Sequence, residues 1–172
     1  WLSFRHHGGS AGPLRDGKGT TFEGGQRVPF VIRGPGIPKG SITSELLGTI
    51  DLLPTFASLV GQNLPSENKI DGLDAKGLLM GTEKSPRNEF LYYTSRGEIE
   101  GIRQGKWKYL KKKKKQKQKL VEESMLFDLI ADLGESKNLM SENPKMVQKL
   151  NARMIELDQE ITANARSPWV LE

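Results

Sequence analysis

The chain has no cysteine, only two histidines and no long uninterrupted hydrophobic run. Without cysteine it can form neither disulfides nor thiolate metal sites of its own. Because about 18 consecutive apolar residues are needed to cross a bilayer as a helix, no membrane span is predicted. These absences exclude several classes of protein but do not identify a function.

The positive charge of the chain is concentrated in one segment. Seven lysines, which we call the lysine run, occupy Lys111–Lys115, Lys117 and Lys119. Removing those seven charges from the formal net charge of +5 leaves −2, so the basic character is local. Such a run either attracts polyanions or forms a solvated hairpin loop whose lysines repel one another. No aromatic residue interleaves the lysines, and no nucleic-acid partner is expected.

The pattern of apolar residues predicts an α/β chain that divides near residue 82 into segments 1–82 and 83–172. In the first segment, the apolar run Val28–Ile32 predicts a buried strand. Apolar residues at helical spacing predict a helix over Thr49–Val60, which Gly61 closes.

In the second segment, alternation and aromatic content predict four strands, with turns at Gly97 and Gly105. Pro144 then opens a helix with an apolar stripe on one face. An antiparallel sheet covered by a C-terminal helix is therefore expected. The predicted strands are Glu89–Thr94, Glu98–Gln104, Lys106–Leu110 and Met125–Leu129, and the stripe consists of Met146, Val147, Leu150, Met154, Leu157 and Ile161.

Glycines are unusually dense between Gly12 and Pro29, a segment that we call the glycine loop. Glycine allows positive φ angles and close approach of the backbone to a ligand. Lys18, within this segment, supplies a compact cation suited to an oxyanion. The glycine loop is therefore predicted to be part of a functional site.

The glycine loop resembles the second signature of the formylglycine-dependent sulfatases, G-x-L-R-x-G-K-x-[ST]-x-[WYF]-E-G-G-x-R-x-P. Later segments also recur in that family in the same order, so the whole chain is similar to the C-terminal third of an arylsulfatase A-like enzyme. These segments include Gly34–Gly36, Ile50–Thr55, Asp71–Gly72, Gly105–Tyr109, Leu126–Leu129 and Glu135–Leu139.

The resemblance implies an alkaline-phosphatase-like α/β fold. Residues 1–82 would be the remainder of the catalytic domain, and residues 83–172 a C-terminal subdomain with a small antiparallel sheet and a helix. It also implies a sulfuric ester hydrolase that acts on aryl or carbohydrate sulfates. Complete members of the family are expected to be periplasmic, secreted or lysosomal.

The family's nucleophile is a formylglycine made from a C/S-x-P-x-R motif, and this motif does not occur in the chain. The resemblance implies a calcium ion whose ligands are expected upstream of Trp1, with no metal site within the chain. It also implies that Lys18 contacts a sulfate oxygen, which makes Lys18 the predicted catalytic and substrate-binding residue. The isolated chain is predicted to be inactive and to fold poorly.

Other polar residues in or near these motifs have two open interpretations. His7 is a candidate substrate-binding residue, because an imidazole near a leaving oxygen can act as a general acid; it is otherwise a solvated loop residue. Arg15, Glu23 and Arg27 are interpreted as ties within the glycine loop. Asp51 is interpreted as a helix cap.

Two other functions are considered from the sequence because parts of it resemble other kinds of binding site. The sequence from Gly12 to Lys18 nearly matches a phosphate-binding P-loop, but Gly19 stands where a serine or threonine must bind magnesium. The second rival is a noncatalytic module that binds sulfated or phosphorylated polyanions through Lys18 and the lysine run at residues 111–119.

Overall fold

A computed structural model describes residues 9–65, 67, 69–116 and 119–165, with side chains of 114–116 excepted. The chain forms two compact units. One comprises the described residues up to Val28 together with those from Leu91 onward, and the other is Pro29–Phe90. These units group the glycine loop with the C-terminal half of the chain, unlike the division near residue 82. That division stays a prediction about the complete fold.

The first unit is built around a four-stranded antiparallel sheet in which the strands are neighbours in chain order. The expectation of an antiparallel sheet followed by a C-terminal helix is confirmed. The C-terminal helix begins at Pro144, where the missing N–H of proline costs nothing because the N–H groups of a helix's first turn have no partner within the helix. The strands are β1 Glu89–Tyr93, β2 Ile99–Gln104, β3 Trp107–Gln116 and β4 Lys119–Asp128, and the helices are α1 Glu23–Gln26 and α4 Pro144–Ala163.

The two faces of this sheet carry two separate apolar clusters, because successive side chains of a strand point to opposite faces. On one face, Tyr109 and its neighbours pack against Leu150 and Met154 of α4. On the other face, Leu110 and its neighbours pack against Phe22 of the glycine loop. The sheet therefore lies between α4 and the glycine loop. Of the predicted stripe on α4, only Ile161 is exposed.

The lysine run is not a loop in its described part. Lys111–Lys115 belong to β3, and this strand continues to Gln116, six residues beyond the predicted end at Leu110. Its register places Lys112 opposite Glu123 and Lys113 opposite Glu122. Opposite charges across a strand pair stabilise the pairing, which offsets the repulsion among neighbouring lysines. Lys111–Lys115 thus lie in a strand of a β-hairpin, and the expected loop is wrong for these residues.

The second unit contains a short 3-10 helix, Thr49–Asp51, and two α-helices, α2 Leu52–Leu59 and α3 Lys76–Leu79. The predicted helix over Thr49–Val60 is confirmed, including the closure at Gly61: the N–H groups of Gly61 and Gln62 donate to the carbonyls of Ser58 and Ala57.

Asp51 organises this unit more extensively than a cap does. Its buried carboxylate accepts hydrogen bonds from the N–H of Gly48 at 2.8 Å and of Leu73 at 2.8 Å. The Arg87 guanidinium forms a bidentate ion pair with it, from Nε to Oδ2 at 2.7 Å and from Nη2 to Oδ1 at 2.5 Å. Burial raises the pKa of Asp51, but Arg87 and the backbone donors outweigh it and hold the pKa below its usual value.

The buried strand predicted over Val28–Ile32 is wrong for the part of the chain that the structure describes. These residues adopt no strand there, and the side chains of Val28 and Val31 are 70% and 91% exposed. An extended apolar segment becomes a strand only when another strand pairs with its backbone, and no described residue does so.

Candidate functional site

Lys18 lies at the corner of a tight turn formed by Gly17, Lys18, Gly19 and Thr20. The N–H of Thr20 donates to the Gly17 carbonyl at 3.2 Å, and the Thr20 hydroxyl donates to the same oxygen at 3.0 Å. Gly19 has a φ of +94°, which the third position of a type II turn requires and which glycine tolerates best. The Lys18 side chain is exposed. The turn therefore presents its amine to solvent on a defined backbone.

The glycine pair of the loop allows the backbone of α1 to pack directly onto this turn. A Cβ atom on Gly25 would lie 2.6 Å from the Gly17 carbonyl oxygen, and one on Gly24 would lie 2.5 Å from that of Arg15. Both distances are far below normal contact. The N–H of Gly24 also donates to the Arg15 carbonyl at 2.9 Å. The two glycines therefore serve the backbone geometry of the loop, since a side chain at either position would collide with backbone carbonyls.

A buried carboxylate cluster, consisting of Glu23, Lys108 and Glu135, fixes the other end of the glycine loop to the sheet. The Lys108 amine lies 2.8 Å from Glu23 Oε1 and 2.9 Å from Glu135 Oε1, and all three side chains are almost completely buried. The backbone N–H of Glu23 donates to Glu135 Oε2 at 2.7 Å. Removing one partner of a buried ion pair typically costs about 3–5 kcal/mol.

The pKa values of the two carboxyl groups in this cluster are shifted in opposite directions. Burial raises the pKa of Glu23, but the charge and hydrogen bond of Lys108, together with Arg27, lower it below its usual value of 4.5. For Glu135, burial outweighs the attraction to Lys108, and the pKa is raised above 4.5. Tyr92, whose hydroxyl donates to Glu23 Oε1 at 3.2 Å, has a pKa well above 10.0 because of burial and the charge of Glu23. Glu23 is therefore the more acidic carboxyl group of the pair.

Arg15 and Arg27 also hold the loop rather than extend freely into solvent. The Arg15 guanidinium donates to the Glu135 carbonyl at 2.8 Å and lies 3.9 Å from the centre of the Phe22 ring. This geometry is typical of a cation–π contact. Arg27 Nε lies 2.5 Å from Glu23 Oε2. These contacts support the interpretation of Arg15, Glu23 and Arg27 as ties within the loop.

Three lysines of the run are each paired with a glutamate. Lys111 lies 3.2 Å from Glu122, Lys113 lies 3.7 Å from Glu98, and Lys112 lies 2.9 Å from Glu100. The pairing reduces the positive potential of this part of the run, which weighs against the polyanion-binding alternative.

His7 lies outside the described residues, so its predicted role stays a prediction. Among the residues that the structure describes, no group of three or more histidine, cysteine, aspartate and glutamate side chains could hold a metal ion. No described helix is long and apolar enough to cross a membrane.

Comparison with known proteins agrees with the pattern of the glycine loop. Residues 16–160 match the family model described as N-sulphoglucosamine sulphohydrolase, C-terminal. The chain belongs to this sulfatase family. The matched range contains Lys18 and every member of the buried carboxylate cluster.

Several curated sulfatases are similar to this sulfatase chain. Arylsulfatase A of Bos taurus is 47% identical over 106 residues, which cover 59% of this chain and 21% of the relative. A sulfatase of Formosa agariphila is 33% identical over 166 residues, which cover 84% of this chain and 30% of the relative. The chain thus spans between a fifth and a third of the length of these two relatives.

Two solved structures are similar in fold. One comes from work on glycosaminoglycan metabolism by Bacteroides thetaiotaomicron; it has a TM-score of 0.75 and 26% identity and covers 86% of this chain and 32% of that chain. The other is Ps i-CgsB in complex with k-i-k-neocarrahexaose. It has a TM-score of 0.71 and 27% identity, and the match covers 93% of this chain and 34% of that chain.

Sequence reasoning missed the partners of the glycine loop in the sulfatase chain. Lys108 is 85 residues from Glu23, and Glu135 is 112 residues from it, so no local spacing connects them. One signal was available: Lys108 lies between Trp107 and Tyr109 in a predicted strand, where a lysine facing the core needs a carboxylate partner.

Proposed function

We propose that this chain is part of an enzyme that hydrolyses sulfate esters to an alcohol and inorganic sulfate, and that Lys18 binds the sulfate group. The observation that carries the proposal is the exposed Lys18 amine on a turn whose backbone is tied to the sheet. Membership of a sulfatase family and the similarity to curated sulfatases support the reaction class.

Lys18 would act through its charge. During cleavage of the ester, negative charge builds up on the oxygens of the transferring group and on the leaving alcohol. A lysine amine held close to those oxygens stabilises this charge without being consumed. The fixed turn adds to the effect, because a group that is already positioned pays little reorganisation cost when the reaction occurs.

The substrate class in this proposal is an aryl sulfate or a sulfated carbohydrate. Arylsulfatase A of Bos taurus supports the first by its name, and the complex of Ps i-CgsB with a carrahexaose supports a carbohydrate. The formylglycine nucleophile and the calcium ion belong to the proposal for the complete protein. The ion would hold and polarise the sulfate ester, with ligands outside the described residues.

The proposal is tested by sulfate release from a panel of esters. The complete protein that contains this chain should release inorganic sulfate from para-nitrophenyl sulfate or from sulfated disaccharides, and a control set should contain the matching phosphate esters. Release of sulfate without comparable release of phosphate is expected. Absence of sulfate release across the whole panel, from a protein shown to be folded, would contradict the proposal.

A further inference from the structure

Lys112 differs from its neighbours in the lysine run. Its side chain is only 15% exposed, whereas that of Lys113 is 64% exposed and that of Lys111 is 35% exposed. Side chains alternate along β3, so Lys112 shares the face of Lys108 and Leu110, which is the face covered by the glycine loop. Lys112 is therefore placed against the glycine loop, while Lys111 and Lys113 point to the opposite face.

The Lys112 amine makes three contacts on this face. It donates to the hydroxyl of Thr21 at 2.8 Å and to Glu100 Oε2 at 2.9 Å, and it lies 4.6 Å from the centre of the Phe22 ring. The Thr21 hydroxyl in turn donates to the same Glu100 oxygen at 2.5 Å. Two of the three partners, Thr21 and Phe22, are consecutive residues of the glycine loop, and both are buried.

Thr21 is the residue that directly follows the turn carrying Lys18. On its other side, the turn is packed against Gly25 and receives a hydrogen bond from the Gln26 side chain to the Thr20 carbonyl at 2.8 Å. The backbone between Gly17 and Thr21 is thus held from both sides. Lys108 holds the loop at Glu23, five residues beyond Lys18, and Lys112 holds it at Thr21, three residues beyond.

We infer that Lys112 is a positioning residue for Lys18: by binding Thr21 and Glu100 it fixes the end of the turn that presents the Lys18 amine to the sulfate group. The inference rests on the proposed role of Lys18. It assigns one member of the lysine run to the active-site architecture, whereas Lys113 belongs to an exposed surface pair with Glu98.

The test compares Lys112→Met with Lys113→Met in the complete protein. Methionine keeps the length of the side chain and removes the charge, and the two variants differ only in the face of β3 that they alter. Lys112→Met should lower kcat by about 10- to 100-fold, because a small misplacement of a catalytic group has an effect of this size. KM should change less than about threefold, since the Lys18 amine that binds the sulfate group remains present. Lys113→Met should leave both constants unchanged, and Lys112→Arg should recover most of kcat.

A double variant separates positioning from a general loss of stability. If Lys112 acts through Lys18, then Lys18→Ala with Lys112→Met should be no slower than Lys18→Ala alone, because the group being positioned is already absent. Amide hydrogen exchange provides a readout that does not depend on turnover. Exchange at residues 19–22 should accelerate in Lys112→Met and not in Lys113→Met.

The possible outcomes distinguish the inferred role of Lys112 from the proposed role of Lys18. If Lys18→Ala lowers kcat but Lys112→Met does not, only the inference about Lys112 is overturned. Multiplicative losses in the double variant would also overturn it, because they would show that Lys112 acts independently of Lys18. If Lys18→Ala itself leaves kcat unchanged, the proposed role of Lys18 fails and the inference fails with it.

Discussion

Glu23 and Glu135 share one lysine, Lys108, in the buried carboxylate cluster. They differ in how strongly their surroundings favour the ionised carboxylate. Glu23 is surrounded by Lys108, Arg27 and the Tyr92 hydroxyl, so its ionised form is favoured. Glu135 has Lys108 as its ion-pair partner and is fully buried, so its ionised form is disfavoured. The same residue type at two positions therefore carries two different roles.

This difference predicts unequal effects of neutral substitutions. Glu23→Gln should lower the local stability of the glycine loop by about 3 kcal/mol at pH 7, since a buried cation loses its better partner. Glu135→Gln should lower it by no more than about 1 kcal/mol, since glutamine keeps an acceptor for the Glu23 N–H. The measurement is hydrogen-exchange protection of residues 20–26 in the complete protein, corrected for intrinsic exchange rates.

The stability of each variant relative to wild type is expected to change with pH in opposite directions. The lowered pKa of Glu23 contributes stability above pH 4.5 that is lost as the pH falls through the folded-state pKa, so the deficit of Glu23→Gln should shrink on acidification. The raised pKa of Glu135 contributes stability below pH 4.5 that is lost as the pH rises, so Glu135→Gln should gain relative to wild type as the pH rises. Equal trends in both variants would contradict the assignment of the cluster.

Among the elements, the glycine loop and strand β3 depend on each other. The loop has only one short helix, α1, and it contacts β3 through Lys108 and Lys112. The apolar contact of Phe22 with Phe127, at a ring separation of 6.4 Å, adds an edge-to-face pair. The loop is therefore ordered mainly by the sheet on which it lies.

A methyl group at Gly25 tests the close packing of α1 on the Lys18 turn. Gly25→Ala should destabilise the loop by about 1–3 kcal/mol, because the added Cβ collides with backbone carbonyls that cannot move independently. Gly34→Ala is the matched control, since the added Cβ would lie 3.7 Å from its nearest neighbour, Cγ1 of Ile37, which is an ordinary contact. Hydrogen exchange at residues 17–26 measures the effect. Equal protection in both variants would show that the close approach is not required.

The elements also show where sequence patterns succeed and where they do not. The predicted boundaries of β1, β2 and α4 lie within two residues of the observed ones, since alternation, Gly97, Gly105 and Pro144 act locally. The end of β3 was missed because consecutive lysines do not resemble a strand until their partners on β4 are known. The buried strand over Val28–Ile32 was wrong because an apolar run becomes a buried strand only when another strand pairs with it, and no described residue does so.

For the candidate site, the sequence predicted the loop and its lysine but not the structure that supports them. The motif predicts Lys18 as a site residue because the residues of the motif are adjacent in the chain. The supporting contacts join Glu23 to Lys108 and Thr21 to Lys112, across 85 and 91 residues. Such contacts are decided by the packing of the sheet, which local patterns do not specify.

At the level of the whole molecule, the chain spans about a fifth of the length of arylsulfatase A of Bos taurus. No C/S-x-P-x-R motif occurs in it, and the exposed side chains of Val28 and Val31 have no strand partner among the described residues. In the proposed function the formylglycine nucleophile comes from outside these 172 residues, so the proposed catalytic unit is larger than this chain.

The isolated chain is therefore predicted to release no sulfate under conditions in which the complete protein turns over. The exposed apolar segment is also expected to promote self-association of the isolated chain. Equimolar samples should be compared by sulfate release and by size-exclusion elution. Turnover by the isolated chain would contradict the first expectation, and a cooperative thermal transition with a monomeric elution volume would contradict the second.

The central claim is that turnover depends on the Lys18 amine, and the most direct measurement is kcat for Lys18→Ala in the complete protein. Lys39→Ala is the matched control, because Lys39 is also exposed and also precedes a glycine with positive φ. Lys18→Ala should lower kcat by about two orders of magnitude or more, as loss of a charge-stabilising group typically does, while Lys39→Ala should retain wild-type kcat. An unchanged kcat in Lys18→Ala would contradict the account.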